Sequence, residues 1–307
     1  MQQRQLGRDG PSVPVIGFGA WPIGGGLGAV DERDAIRTLH HAFEQGVTLV
    51  DTAEAYRTSE ELVGRALATW TGPRDRIFVA TKVRGDDLSA SHIAEATERS
   101  LRRLGVDTID LLQAHSWDAY QTRSRKRCRR SIGWLPAARS ATLESPTSTC
   151  RRWKLPGGSD PSRPCNHAIT SSTVRSKRAS CPTANSAVSA CWPTALFAKG
   201  LLTGRYEPGY VFAADDERAQ MARFQGDEFS RWLGWTVPLG QWAEERGHTL
   251  LELAIAWVLS HPEVTVCLCG AKLPEQIDDH VRAANWHLST DDRLDIDRIL
   301  GSTGPPD

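Results

Sequence analysis

Residues 47–56 read Val-Thr-Leu-Val-Asp-Thr-Ala-Glu-Ala-Tyr, an apolar β-type run that delivers Asp51 and Tyr56 directly after it. Two later apolar runs end in the same way, one on Lys82 and one on His115. In a parallel α/β barrel the carboxyl ends of the strands converge on one face, where such enzymes keep their active sites. The pattern therefore predicts that an acid, a phenol, an ammonium and an imidazole meet in one proton-transfer site.

Helical patterns separate these strands along the chain. Amphipathic spacing predicts helices at residues 31–45, 59–67 and 91–104. Ser59 is expected to cap the second of them, and Gly105 to end the third. Alternation of strands and helices with short turns favours a parallel sheet with helical crossovers. The fold class predicted from this pattern is α/β.

Ordered patterns are also found near the end of the chain. Residues 249–260 have the spacing of a helix, and residues 264–269 that of a strand that runs into a Gly-Ala-Lys turn. Residues 291–300 are predicted to form a closing helix.

The length and composition are those of a globular protein in one domain. The chain has 307 residues, of which 40% are hydrophobic and 24% charged, and no apolar run has the length of a membrane span. The first residues lack the apolar core of a secretory signal. We therefore expect a single barrel domain over residues 1–307 in the cytoplasm, with no membrane partner.

Residues 123–195 differ from the rest of the chain. They hold 14 Lys and Arg but only two acids, and five of the seven cysteines. Such a composition predicts a basic, disordered segment. Arginine clusters suit nucleic acid, but aromatic residues are too sparse here for base stacking, so no nucleic-acid partner is expected. The cysteines form no CxxC pair, which argues against a zinc site.

The two ends of the chain, residues 1–122 and 196–307, resemble the aldo-keto reductase family, whose members are (β/α)8 TIM barrels that use NADPH. Any one of the matching motifs is weak, and their shared order makes the resemblance strong. The motifs are Val13-Pro-Val-Ile-Gly-Phe-Gly-Ala-Trp21, Asp51-Thr-Ala-Glu-Ala-Tyr56, Ala80-Thr-Lys-Val83, Ile109-Asp-Leu-Leu-Gln-Ala-His115, Lys199-Gly-Leu-Leu-Thr-Gly-Arg-Tyr206 and Gly270-Ala-Lys-Leu-Pro-Glu-Gln276.

The resemblance implies reduction of an aldehyde or ketone to an alcohol, with the hydride from NADPH. Tyr56 would be the general acid that protonates the carbonyl oxygen. A free phenol, with a pKa of about 10, is a poor donor at neutral pH, and the Lys82 ammonium is expected to lower that pKa. Asp51 would hold Lys82 charged and oriented, and His115 would hydrogen-bond the substrate oxygen.

The resemblance also implies a cofactor site in the last third of the chain. Residues 270–280 resemble the loop and helix start that hold the adenosine 2′-phosphate, because backbone N–H groups at a helix N-terminus suit an anion. Asp279 and His280 replace the family's usual acid–Asn pair at the adenine. The cofactor-binding residues expected from the family are Gly200, Leu201, Gly270, Ala271, Lys272, Gln276, Asp279 and His280.

Two family blocks, one reading like GVSNF and one like AYGPL, are missing from residues 123–195, where they should fall. Residues 124–150 can be encoded by DNA whose shifted reading frame gives LEETLPALDRLAARGKVRYIGVSNFDV. Residues 166–196 likewise permit a shifted frame that ends in LAYGAL. We therefore hypothesise two compensating frameshifts, one near Arg123 and one near Leu196.

Two other interpretations remain open at this point. In one, the chain is an inactive product that cannot complete its barrel, expresses poorly and oxidises little NADPH. In the other, the chain is a regulatory subunit of this fold that binds the cofactor but turns nothing over. Sequence does not name the substrate, because specificity in this family lies in loops.

Overall fold

The computed structural model describes residues 1–7, 10–84, 87, 89–115 and 197–303. The predictions made for residues 123–195 fall outside the described residues. The strands are β1 (Gln3–Gln5), β2 (Ser12–Pro14), β3 (Ile16–Gly19), β4 (Leu49–Asp51), β5 (Phe78–Val83), β6 (Leu111–Ala114) and β7 (Cys267–Cys269). The α-helices are α1 (Glu32–Glu44), α2 (Ser59–Thr69), α3 (Ala90–Leu104), α4 (Gly226–Glu244), α5 (Leu250–Leu259), α6 (Pro274–Ala283) and α7 (Thr290–Thr303).

Five of the described strands form one parallel sheet in the order β6-β5-β4-β3-β7. Sequential strands lie side by side from β3 to β6, with α1, α2 and α3 as the crossovers between them. Strand β7 pairs with β3 and so joins the end of the chain to its beginning. The parallel sheet with helical crossovers that the sequence predicted is therefore confirmed.

The inner face of this sheet has an apolar floor. Leu49, Ala80 and Leu268 lie on it, and the antiparallel hairpin of β1 and β2 covers it with Leu6 and Val13. Successive residues of a strand point to opposite faces, so the residues two places after Leu49 and Ala80 also point inward. Those residues are polar, and they form the layer above the floor.

One glycine of β3 is needed for this packing. A Cβ on Gly17 would lie 2.8 Å from the side chains of Leu49 and Leu268 and 2.9 Å from that of Val266. Such distances are shorter than any side chain tolerates, so a larger residue would push the floor apart. The space above Gly17 is filled by its neighbours on β4 and β7.

The predicted helices are confirmed, and most begin at a side-chain cap. Asp31 accepts hydrogen bonds from the backbone N–H groups at the start of α1, and Thr249 forms a capping box with Glu252 at the start of α5. Gly105 ends α3 in the left-handed conformation.

The role predicted for Ser59 is wrong. It is the first residue of α2 and not its cap, which is Thr58 without a side-chain hydrogen bond. The Ser59 hydroxyl instead donates to the carbonyl of Ala20 at 2.9 Å and contacts the Thr52 hydroxyl at 2.8 Å. Ser59 therefore ties α2 to the ends of β3 and β4.

Across the described part of the chain, no helix is both long and apolar enough to cross a membrane.

Candidate active site

The four residues predicted to form a proton-transfer site lie together in the structure. Asp51 ends β4, and Lys82 lies near the end of β5, two residues after Ala80, the partner of Asp51 in the sheet. Both side chains therefore point inward above the apolar floor, where they are 2% and 1% exposed. Tyr56 lies in the loop between β4 and α2, and His115 directly follows β6.

Lys82 is the centre of the hydrogen-bond network. Its ammonium donates to the carboxylate of Asp51, to the carbonyl of Thr52 at 2.9 Å and to the hydroxyl of Tyr56 at 3.2 Å. An ammonium has three N–H donors and no acceptor, so these contacts use all of them. The oxygen of Tyr56 is therefore an acceptor toward Lys82, so this contact does not use the phenol's own hydrogen.

Two aromatic rings surround Tyr56. The edge-to-face neighbours are Trp21, with a centroid distance of 4.9 Å, and His115, with a centroid distance of 5.0 Å. The backbone of Tyr56 packs tightly against the turn at Gly24, because a Cβ on Gly24 would lie 2.2 Å from the carbonyl oxygen of Tyr56. The turn at Gly24 thus fixes the loop that carries the phenol.

The charge states follow from burial and from the neighbours of each group. Burial lowers the pKa of Lys82, but the Asp51 carboxylate and Tyr56 raise it by more, so the group is held charged. Burial, together with the nearby Lys82 charge, lowers the pKa of His115 below its usual value. The imidazole is therefore neutral at pH 7.

Lys82 lowers the pKa of Tyr56 as expected, but the net shift of that pKa is upward. Burial of the phenol raises its pKa, the Lys82 charge lowers it, and the Asp51 charge raises it again, so that the result lies above the usual 10.0. Tyr56 is thus kept protonated at neutral pH. That is the form that an acid needs before it donates.

Gly270 and Ala271 directly follow β7, at the same end of the sheet as Gly19 of β3. A Cβ on Gly270 would lie 2.6 Å from the ring of Pro22, so the two turns touch there. Ala271 is buried in the core. These positions pack against the loop after β3, and their contact with a cofactor stays a prediction.

Lys272 and Gln276 form contacts within the chain. The Gln276 side-chain oxygen accepts from the backbone N–H of Lys272 at 2.7 Å and of Leu273 at 3.1 Å, so it caps α6. The Lys272 ammonium donates to the carbonyls of Leu27, at 2.6 Å, and of Gly28, at 3.2 Å. The N–H groups expected to hold a phosphate are thus bonded to Gln276 in this structure.

Asp279 and His280 differ in exposure. Asp279 accepts a hydrogen bond from Arg282 at 2.8 Å, one turn further along α6. His280 is 2% exposed, and its ring stacks on that of Phe197 with a centroid distance of 5.4 Å. Its side chain packs in the core, and the contact with adenine stays a prediction.

Gly200 and Leu201 lie in a short 3-10 segment, Ala198–Thr203. Gly200 has a φ of 104°, which favours glycine, and a Cβ there would lie 3.0 Å from the ring of Tyr206 and 3.1 Å from Arg218. Leu201 is buried. The pair shapes the backbone beside Arg218.

Arg218, which the sequence analysis did not single out, is buried and lies near enough to Lys272 for its charge to lower the Lys272 pKa. Its guanidinium bonds to Asp216 through two nitrogens, at 2.9 and 2.5 Å, to the Tyr206 hydroxyl at 2.7 Å and to the Lys199 carbonyl at 2.9 Å. Burial lowers the pKa of Lys272, and the nearby Arg218 charge lowers it further. The Asp216 and Asp215 carboxylates counteract part of that lowering.

Gln113 was also missed. Its side-chain amide on β6 donates to Asp51 Oδ1 at 2.9 Å. The only sequence signal for it was its place two residues before His115, which puts it on the same face of β6.

Within the described ranges, no group of three or more His, Cys, Asp or Glu side chains is placed to hold a metal ion.

A family model of the Aldo/keto reductase family matches residues 15–144 and 183–300, most of the chain. The chain belongs to the aldo/keto reductase family. The match covers the strands that carry Asp51, Lys82 and His115, and the loop with Lys272. It also extends into both ends of segment 123–195, whose frameshift stays a prediction.

Relatives of the chain include enzymes and channel subunits. The aldo-keto reductase YhdN of Bacillus subtilis is 30% identical over 99% of this chain and 95% of its own. A probable voltage-gated potassium channel subunit beta of Arabidopsis thaliana is 29% identical over 93% of this chain and 92% of its own.

Solved structures of the family share the fold. The glycerol dehydrogenase AKR11B4 of Gluconobacter oxydans matches with a TM-score of 0.71 at 25% identity, over 99% of this chain and 96% of its own. An aldo-keto reductase of Klebsiella pneumoniae, solved in complex with NADPH, matches with a TM-score of 0.65 at 20% identity, over 100% of this chain and 97% of its own. The fold of the chain is therefore the (β/α)8 barrel of its family.

Proposed function

We propose that the chain is an NADPH-dependent reductase that converts an aldehyde or ketone to the alcohol. The observation that carries the proposal is the network of Asp51, Lys82 and Tyr56, in which one buried ammonium bonds to both the carboxylate and the phenol. The network lies at the carboxyl ends of the strands, the face on which barrel enzymes bind substrates.

Each residue has one task in the proposed reaction. Tyr56 donates its proton to the carbonyl oxygen. The phenol oxygen accepts a hydrogen bond from Lys82, so its hydrogen is available for the substrate. The Lys82 charge then stabilises the phenolate that forms, and Asp51 keeps Lys82 charged. His115, neutral at pH 7, offers a ring N–H to the substrate oxygen and directs it toward Tyr56.

The cofactor would supply the hydride that reaches the carbonyl carbon. The residues present fit its phosphates, because burial and then the nearby Arg218 charge lower the pKa of Lys272, so an added anion would be favoured there. Among the described residues, the Lys272 ammonium bonds to backbone carbonyls and pairs with no carboxylate within salt-bridge distance. We propose that Lys272 and Arg218 hold a phosphate of NADPH, and that Gly270, Ala271 and Gln276 shape the loop beside it.

The test follows NADPH oxidation at 340 nm with 4-nitrobenzaldehyde, for the wild-type chain and for Tyr56→Phe. We expect turnover in the wild type and a loss of about a hundredfold to ten-thousandfold in the variant, the range of one general acid. Binding of NADPH, measured by its fluorescence, should be retained in the variant. Equal rates in both proteins would contradict the assigned role of Tyr56.

A second candidate function is a cofactor-binding subunit of a channel. The similarity to the potassium channel subunit of Arabidopsis thaliana favours it. A chain of this kind would bind NADPH in the fluorescence assay and oxidise none of it with any aldehyde. The same two measurements therefore separate the two candidates.

We propose further that residues 123–195 arise from two compensating frameshifts within one barrel domain. The family model leaves residues 145–182, in the middle of that segment, unmatched. Resequencing the gene between the codons of Asp118 and Gly200 tests this. Codons that give stops or unrelated sequence in the shifted frame would refute the hypothesis.

A further inference from the structure

We infer that Gln113 is a positioning residue of the proposed reaction, which fixes the Asp51 carboxylate so that Lys82 stays directed at Tyr56. The inference rests on the proposed function. One oxygen of Asp51 bonds to Lys82, and the other accepts from the Gln113 amide at 2.9 Å. An ionised carboxylate only accepts hydrogen bonds, so the Gln113 nitrogen, and not its oxygen, faces Asp51.

The register of the sheet explains how Gln113 reaches Asp51. Gln113 on β6 lies directly opposite Lys82 on β5, and β5 lies between β6 and β4. The Gln113 side chain therefore extends across β5 to the carboxylate at the end of β4. It links the ends of three strands above the apolar floor. A residue with a shorter side chain at this position would not span the distance.

The effect on the reaction passes through Lys82. Each of the three Lys82 N–H groups has a partner, and the Tyr56 hydroxyl is the most distant of them, at 3.2 Å. Rotation of the Asp51 carboxylate would turn the ammonium with it and weaken the contact with Tyr56. Gln113 opposes that rotation with a neutral donor, so it adds no charge that would compete with Lys82 for Asp51.

Gln113→Met tests this with a side chain of similar length that lacks the donor. We expect NADPH affinity within about twofold of the wild type and a kcat about tenfold lower, the size of one hydrogen bond to a charged group. Leu111→Met is the matched control, because Leu111 lies on the same strand and face but in the apolar floor. It should retain the wild-type kcat.

Gln113→Glu separates positioning from packing. The introduced carboxyl group donates to Asp51 only while it is protonated, and once ionised it repels Asp51. We expect kcat of Gln113→Glu, relative to the wild type, to fall as pH rises from 5 to 8. Over the same range, the kcat of Gln113→Met should stay lower than that of the wild type by a constant factor. A Gln113→Glu profile parallel to that of Gln113→Met would overturn the inference, as would a Gln113→Met variant with the wild-type kcat.

A measurement without turnover keeps this test independent of the proposed function. Phenolate absorbance at 295 nm after rapid pH jumps, taken as the difference from Tyr56→Phe, gives the ionisation midpoint of Tyr56. Gln113→Met should move that midpoint upward by about half a unit to one unit, because a misaligned Lys82 lowers the pKa of the phenol less. A wild-type chain without turnover refutes the proposed function alone; an unmoved Tyr56 midpoint overturns the positioning role.

Discussion

His280 is expected to make the folded chain sensitive to acid. The side chain is 2% exposed and stacks on Phe197, and within the described residues its Nδ1 has no hydrogen-bond partner. Burial, with a smaller contribution from the Arg205 charge, lowers its pKa from 6.5 to about 3. The folded chain therefore holds His280 neutral at pH values where the unfolded chain protonates it.

The magnitude follows from these two pKa values. Because the folded value is the lower one, the stability from this residue is complete above pH 6.5 and is lost as pH falls toward 3. Each unit of pH in that window removes about 1.4 kcal/mol. Between pH 8 and pH 5 the free energy of unfolding should therefore fall by about 2 kcal/mol through His280 alone.

The assay is urea unfolding at pH 8 and at pH 5, followed by tryptophan fluorescence. His280→Phe keeps a ring against Phe197 and removes the titrating nitrogens, so about 2 kcal/mol of the wild-type loss between the two pH values should disappear. His287→Phe, at an exposed position, controls for removal of a histidine as such.

If the free energy of unfolding falls by the same amount between pH 8 and pH 5 in the wild type and in His280→Phe, His280 is not a buried neutral histidine. NADPH binding of the same variant tests whether His280 contacts the adenine, as the family resemblance implies. If His280 packs only in the core, the affinity of His280→Phe for NADPH stays within about threefold of the wild type. A folded variant that binds NADPH more than tenfold more weakly would place His280 at the cofactor.

Three further predictions concern the site itself. Lys82→Met should abolish reduction and destabilise the chain by about 3–5 kcal/mol, because it leaves Asp51 buried without its cation. Asp51→Asn in the same chain should recover part of that loss. Urea unfolding of the single and double variants measures this, and equal stabilities of the single and double variants would contradict the pairing. Lys272→Ala should weaken binding of NADPH more than binding of NADH, which fluorescence titration measures; an equal loss for both would remove Lys272 from the 2′-phosphate. Reduction should show no alkaline decline below pH 9, because burial raises the pKa of Tyr56 and keeps it protonated; a decline of kcat centred below pH 9 would contradict that.

The convergence of Asp51, Tyr56, Lys82 and His115 was predictable from the sequence. Each follows a short apolar run, and the carboxyl ends of parallel strands meet at one end of a barrel. Their charge states were less predictable. The Lys82 charge near Tyr56 can be inferred from spacing, whereas the burial that raises the Tyr56 pKa depends on rings that come from distant parts of the chain.

The contacts of Gln113 and Arg218 could not be predicted from the spacing of residues in the sequence. Gln113 is uncharged, and its role depends on the register that sets it opposite Lys82. Arg218 lies in a 3-10 segment, Glu217–Gln220, where no repeating pattern marks the inward side. Helix α4 was not predicted either, because Gly234 and Pro238 interrupt its helical spacing.

In the proposed reaction, this chain moves a hydride from NADPH to a carbonyl carbon while Tyr56 supplies the proton. The most direct measurement uses NADPH that carries deuterium at both C4 positions of the nicotinamide, with 4-nitrobenzaldehyde as substrate. Mass spectrometry of the product should show one deuterium on the alcohol carbon with the wild-type chain, and a yield reduced at least a hundredfold with Tyr56→Phe. An alcohol without deuterium, or no alcohol from a folded chain that binds NADPH, would contradict the proposed reaction.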